Sequence, residues 1–241
     1  MQLRSSIFIY PISPGLVRGF KKNLVMQIKY KDNSFEVEPI NENEHIQKHW
    51  AKGVFYEASM LQYIEENYPK NMNIIDVGGC VGNHALFFAG VMNARNVLVF
   101  EPVKELFECI NMQIILNDFD IICDVENVAL GNRKKKTKMQ LSDLNVNAGM
   151  SKIDNEGDYE IQVVKLDSYK FDKLDLIKID IEGANKAMLQ GAKQTILKHK
   201  PDIFIEADGD FDEVNEILEN YGYKYSGKQF NRTPTFLFTS C

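Results

Sequence analysis

From residue 73 onward the chain repeats one pattern, a short apolar run of strand-forming residues followed by a stretch with helical periodicity. Strand runs are expected over 73–77, 96–100, 121–130, 174–180 and 202–206. Between them, 83–92 reads as a helix, and Val103, Leu106, Phe107, Ile110 and Ile114 recur at three- and four-residue steps. A third helix is expected over 184–198, ended by Pro201. A fourth runs through Phe211, Val214, Leu218 and Tyr221 and stops at Gly222, a natural C-terminal cap. Repeated β-α units with apolar strands bury a parallel sheet under helices on both faces. The expected architecture is therefore α/β, doubly wound and Rossmann-like. Tyr223-Lys224-Tyr225 and 235–239 would close the mostly parallel sheet as an antiparallel hairpin. Runs at 136–141 and 160–166 would add strands around a polar segment, 142–159, whose length suits a lid or a surface loop equally.

The preceding part, 1–70, reads as a small N-terminal cap on a domain spanning 71–241. It offers strand runs at 7–10, 24–30 and 35–37 and helices near 42–51 and 54–68, the second stopping before Pro69. Of the 241 residues, 44% are apolar and 26% charged, enough for a large core. The net charge of −6 speaks against a general nucleic-acid binder, which needs a basic face. One basic run, Arg133-Lys134-Lys135-Lys136 with Lys138, follows the turn signal Gly131-Asn132 and reads as a solvated hairpin. Cys80, Cys109, Cys123 and Cys241 show no metal or disulfide spacing, and Cys109 and Cys123 fall on apolar positions as buried thiols. No apolar run is long enough to span a membrane, and the opening residues, broken by Pro11 and Pro14, do not form a signal peptide. A cytoplasmic protein is expected.

Ligands of doubly wound sheets bind outside the carboxyl ends of the strands. The residues there are Asp76, Glu101, Asn127, Asp180 and Glu206. Asp76-Val77-Gly78-Gly79-Cys80-Val81-Gly82 forms a D-x-G-x-x-x-G turn between a strand and a helix, where glycine lets the backbone approach a ligand and the helix start offers free N–H groups. An acid ending the next strand, Glu101, commonly accepts hydrogen bonds from ribose hydroxyls. The G-x-G-x-x-G fingerprint and the P-loop are both absent, and His84 is the only basic residue between Asn71 and Ala94. A pyrophosphate would be poorly served. S-adenosylmethionine, with a sulfonium, an ammonium and a carboxylate but no phosphate, suits such a turn: Asp76 and backbone carbonyls suit its two cations and the helix start its carboxylate.

The order of these and further motifs resembles the FkbM family of methyltransferases. The matching stretches are Phe55-Tyr56-Glu57, Ile75 through Gly78, Gly82-Asn83-His84, Phe100-Glu101-Pro102, Asn127-Val128-Ala129-Leu130-Gly131, Leu166-Asp167, and Ile177-Lys178-Ile179-Asp180-Ile181-Glu182-Gly183. The resemblance covers roughly residues 53–207. It implies a class I methyltransferase fold with S-adenosyl-L-methionine across the first two strand ends. Implied contacts are Glu57, Asp76, Gly78, Gly79 and Gly82, then Asn83, His84, Glu101 and Pro102, then Asn127, Val128 and Asp180. Family members methylate hydroxyls of sugars and polyketide-type metabolites, and some methylate peptide side-chain amides. Two departures stand out: Gly79-Cys80 where the family often has Ala-Asn, and Asn185 where it usually has an acid.

Methyl transfer is a displacement whose rate comes largely from alignment, on the order of 7–11 kcal/mol. A base that takes the acceptor's proton adds a factor of roughly 10² to 10⁴. Asp180 and Glu182 alternate at a strand end and are the candidate base and cofactor ligand, with helix capping as the structural alternative. His84, in the first turn after Gly82, is the third catalytic candidate. Lys178 shares the face of the two acids and can pair with one of them. His45, His49 and His199 have no ligand spacing, so no metal is expected. The leading expectation is O-methylation of a hydroxyl on a small molecule or glycan. N-methylation of a peptide amide, an NAD-linked oxidoreductase and a catalytically silent binding protein are the alternatives.

Overall fold

The computed structural model describes residues 25–154 and 156–241. The strand expected at 7–10 lies outside the described residues. β1 (Met26–Tyr30) and β2 (Asn33–Val37) pair as an antiparallel hairpin around the Lys31-Asp32 turn. α1 (Gln47–Trp50) is a single turn, and α2 (Ala58–Asn67) buries Met60, Leu61 and Ile64.

The repeating part follows the expected order. β3 (Asn73–Val77) leads through the glycine turn into α3 (Asn83–Leu86), which continues as a π-helical turn over Phe87–Val91. β4 (Asn96–Phe100) and α4 (Lys104–Leu116) come next, then β5 (Cys123–Glu126) and β6 (Ala129–Leu130). β7 (Lys135–Gln140), β8 (Lys152–Ile153) and β9 (Tyr159–Val164) belong with β6 to a small sheet in the order β6-β9-β7-β8. The chain returns to the main sheet through β10 (Leu176–Ile179), α5 (Asn185–Gly191), α6 (Lys193–His199), β11 (Asp202–Glu206), α7 (Phe211–Asn220), β12 (Tyr223–Phe230) and β13 (Thr235–Ser240).

Among the described residues, the main sheet has seven strands in the order β12-β13-β11-β10-β3-β4-β5. β5, β4, β3, β10 and β11 are parallel, and β13 runs antiparallel to both β11 and β12. Strand order reverses between β3 and β10, which places a crevice at their carboxyl ends. Alternation splits the core in two. Ile74, Val99, Leu176, Phe204 and Leu237 face one layer, which also holds Ile28, Phe35, Trp50 and Phe55 of the N-terminal part. Ile75, Val77, Phe100, Ile177 and Ile205 face the other, with Leu189 and Leu218 from the helices.

Three elements differ from expectation. The run over 121–130 is not one strand. The Asn127 side-chain amide donates to the carbonyls of Glu101 and Pro102, and the Val128 N–H turns back onto the Glu126 carbonyl. Those bonds end β5 and send Ala129-Leu130 into the small sheet. The helix expected over 184–198 breaks at Ala192. Asp167, from the preceding loop, caps the second piece: its carboxylate accepts from the backbone N–H groups of Gln194 and Thr195 and from the Thr195 hydroxyl. The helix over 42–51 shrinks to one turn, because buried Glu44 takes the N–H groups of Ile46 and Gln47. The basic run is exposed and leads into β7, with Lys136 paired to Glu160 of β9. Cys109 and Cys123 are buried.

Candidate active site

The glycine turn is shaped by contacts that leave no room for a side chain. Gly78 has φ +82°, and a Cβ there would sit 1.9 Å from the Asp180 carbonyl oxygen; one on Gly79 would sit 2.3 Å from Val99 Cγ1. Both residues donate their backbone N–H to the Phe100 carbonyl, at 3.0 and 3.2 Å. Cys80 adopts a left-handed φ of 50° and turns its N–H onto Glu101 Oε2 at 2.9 Å. The turn ends at Gly82, φ +92°, where α3 begins.

A cleft opens over this turn at the carboxyl ends of β3, β4 and β10. Gly78, Cys80, Glu101 and Pro102 form one side, Val103, Leu106, Val128 and Ala129 an apolar floor, and Asp180, Ile181, Glu182 and Ala184 the far end. The segment between β7 and β9 contributes Ala148, Gly149, Ser151 and Ile153, and the N-terminal part contributes Ile46. Among the described residues, the walls carry three carboxylates and no lysine, arginine or histidine.

Glu101 is 5% exposed. Oε2 accepts from Cys80 and Oε1 from the Val103 N–H at 2.9 Å, which leaves a second lone pair on each oxygen. Burial pushes its carboxyl up to about 7, against the two N–H groups that favour the anion. At the far end, burial and then the nearby Asp180 raise Glu182 above the ordinary carboxylate range. Glu206, closing β11, is raised further by the same two causes in the same order.

Behind the wall, Asp76 is wholly buried and Lys178 is 2% exposed. Lys178 Nζ lies 3.4 Å from Asp76 Oδ1 and 3.2 Å from Asp180 Oδ2. No hydrogen bond reaches either oxygen of Asp76 from the described residues. Glu57 stands at the start of α2 with a left-handed φ of 56°, its side chain buried, and pairs with His84 Nε2 at 3.0 Å. Asn83 is taken up elsewhere: its side-chain oxygen accepts from the Trp50 indole and from the Tyr56 N–H.

The structure thus brings Gly78, Glu101, Pro102, Val128, Asp180 and Glu182 together around the cleft. Asp76, Gly79, Gly82, Asn83, His84 and Glu57 lie behind it, and Asn127 braces the Glu101-Pro102 carbonyls from the side. Lys178 pairs with two acids at once. Ala148 to Ile153 contribute to the wall, and the adjoining stretch 145–148 is tied to the N-terminal part by three hydrogen bonds. Ala148 N–H donates to Glu44 Oε1 at 3.3 Å, His45 N–H to the Val146 carbonyl at 2.9 Å, and the Asn41 amide to the Asn145 carbonyl at 3.0 Å. Glu44 and Ile46 carried no signal in the sequence, because their role depends on a loop about a hundred residues away. Asn185, where the family usually has an acid, uses its amide as a donor to the Glu206 carbonyl and to Asp210. A carboxylate could not make those two bonds.

Comparison with known proteins speaks to the family and the fold. The model of the methyltransferase FkbM domain matches residues 76–225. Among solved structures, the chain is similar to the methyltransferase FkbM of Methylobacillus flagellatus KT, with 20% identity and a TM-score of 0.55 over 72% of this chain and 44% of that one. It is also similar to the tRNA methyltransferase TrmK of B. subtilis, with 13% identity and a TM-score of 0.51 over 75% and 65% of the two chains. At these identities the likeness speaks for the fold, and this chain spans less than half the length of the first. No curated protein matches the sequence. No described helix is long and apolar enough to cross a membrane, and no group of three or more described His, Cys, Asp or Glu is arranged for a metal. With the family model covering well over half of the sequence on a matching fold, the chain belongs to the FkbM methyltransferase family.

Proposed function

We propose that the cleft binds S-adenosyl-L-methionine and that the protein methylates a hydroxyl on a small molecule or glycan. The carrying observation is the charge of the walls: among the described residues they hold three carboxylates, no basic side chain, and an apolar floor. That set fits a phosphate-free nucleoside with a cationic tail and opposes a dinucleotide, whose pyrophosphate needs donors. Glu101 has the spare lone pairs for two ribose hydroxyls, and Pro102, Val103, Leu106 and Val128 offer an apolar bed for the base. Asp180 would hold the amino group of the tail. When bound, the cofactor supplies an electrophilic methyl on a sulfonium.

Glu182 is the proposed base. It lies in the wall at the far end, and its raised proton affinity brings it nearer neutral pH, where a base for a hydroxyl is most effective. Ala148, Gly149, Ser151 and Ile153 add a wall that would shield the reacting groups from water once an acceptor is bound. His84, behind the wall and committed to Glu57, is assigned to support rather than proton transfer.

Calorimetric titration with S-adenosylhomocysteine and with NAD tests the cofactor reading. Binding of the first in the micromolar range and none of the second is the expected result. NAD binding without S-adenosylhomocysteine binding would overturn it. Incubation with labelled S-adenosylmethionine and panels of polyols, glycans and peptides tests the acceptor, and label found only in a peptide amide would replace the O-methylation reading.

A further inference from the structure

Lys178 is the one lysine in the buried set of described residues, and it does not border the cleft. It stands on β10 opposite Asp76 of β3 in the parallel register. Its ammonium reaches three oxygens in three parts of the site: Asp76 Oδ1 at 3.4 Å, Asp180 Oδ2 at 3.2 Å and the Gly78 carbonyl at 3.3 Å. The last two contacts are hydrogen bonds, and Asp76 is held as an ion pair alone. Burial alone would push it toward neutrality, but Asp180 and Asp76 outweigh that and hold it charged.

Stability does not account for such an arrangement, since a buried ion pair is commonly replaced by an apolar pair without loss. The third contact points elsewhere. Gly78 belongs to the glycine turn and Asp180 to the far wall, and the two already meet closely: Asp180 N–H donates to the Val77 carbonyl at 2.9 Å, and the bare Cα of Gly78 lies against the Asp180 carbonyl. The Asp180 side chain is part exposed and surrounded by like charge. Glu182 from its own segment, Glu206 from β11 and Tyr56 from just before α2 bear on it directly, while Asp76 from β3 and Glu57, with its partner His84, bear on the same Lys178 ammonium. Lys178 is the cation that holds this carboxylate in one place among them.

We infer that Lys178 is a positioning residue: it fixes the Asp180 carboxylate in the cleft wall and ties it to the glycine turn, so that cofactor affinity depends on a side chain that does not touch the cofactor. The inference rests on the cofactor reading above. Its test is calorimetry with S-adenosylhomocysteine on the wild type and on Asp76→Asn/Lys178→Met, which removes the buried cation and anion together and leaves neither unpaired. The double variant is expected to melt near the wild type yet bind roughly ten- to a hundredfold more weakly, the scale of one charged hydrogen bond. Adding Asp180→Asn to it should cost nothing more, because Lys178 acts through that carboxylate. Full affinity in the folded double variant overturns the inference, and so does a further loss on adding Asp180→Asn. No binding by the wild type sinks the cofactor reading and the inference with it. Should the double variant not fold, the wild type labelled with [15N]lysine decides. One slowly exchanging ammonium signal is expected to shift on saturation with S-adenosylhomocysteine, and a signal that stays in place refutes the role.

Discussion

The Glu101 carboxylate accepts the Cys80 N–H at 2.9 Å, so the acid ending β4 also fixes the glycine turn that follows β3. One side chain therefore shapes the two walls that meet at the proposed ribose site. Its proton affinity, raised to about 7 by burial, gives that site an opposite pH response in the free and bound protein.

For a carboxyl whose folded value is raised, the stabilising contribution is present at low pH and lost as pH rises through the folded value. The free protein should lose melting temperature between the ordinary carboxylate range and about 7. Binding runs the other way, because ribose hydroxyls donate best to the anion, so S-adenosylhomocysteine affinity should fall as pH drops below about 7. Glu101→Gln should flatten both profiles, and Glu101→Ala should weaken binding by roughly 1.5–3 kcal/mol. Calorimetry and thermal melts from about pH 5.5 to 8 measure both responses. Parallel profiles for wild type and Glu101→Gln would place the titrating group elsewhere.

Two glycines with positive φ separate strain from collision. At Gly183, φ is +65° and nothing lies within 4 Å of an added Cβ, so Gly183→Ala should cost about 1 kcal/mol of backbone strain. At Gly78 the added Cβ meets the Asp180 carbonyl at 1.9 Å, backbone against backbone. Gly78→Ala should therefore cost well over ~3 kcal/mol or abolish folding, and any folded fraction should bind S-adenosylhomocysteine poorly. Urea denaturation of the two variants measures the contrast. Equal costs would show that the turn can open away from β10.

The sheet was legible because its strands are apolar on both faces and its helices keep a 3.6-residue period, signals that local sequence carries in full. Ile74 and Ile75 belong to opposite cores, as neighbours in a strand must. What local pattern misses is side chains acting at long range. Asn127 reads as a polar residue inside an apolar run, and only its bonds to Glu101 and Pro102 reveal it as the end of β5. Leu166-Asp167 reads as a motif without a visible task until Asp167 is seen to cap α6. The glycine turn and Glu101 stood out by position at strand ends. The wall formed by Ala148 through Ile153 did not, because a segment of that composition becomes a wall only where Glu44 and His45 anchor it. Lys178 could be placed on the face of Asp180, but its reach to Asp76 and Gly78 depends on which strand lies beside β10.

Asp180 and Glu182 divide holding from chemistry at the far end of the cleft. Asp180 is tied to Lys178 and is the proposed ligand of the cofactor's amino group; Glu182 is free of that tie and carries the raised proton affinity. Asp180→Asn should lower S-adenosylhomocysteine affinity and rate together, since the group acts before the methyl moves. Glu182→Gln should leave affinity within about twofold and reduce single-turnover rate by roughly 10² to 10⁴, the range for a lost general base. The wild-type rate should rise with pH as Glu182 ionises, through a range lifted above that of an ordinary carboxylate by burial and Asp180, and the variant should lose that rise. Cofactor affinity by calorimetry and single-turnover rates across pH, with an acceptor found by the labelling screen, supply both quantities. Exchanged phenotypes would reverse the two roles within the same wall. Wild-type rates in both variants would move the proton transfer to Glu206, an acid with raised proton affinity at the end of β11.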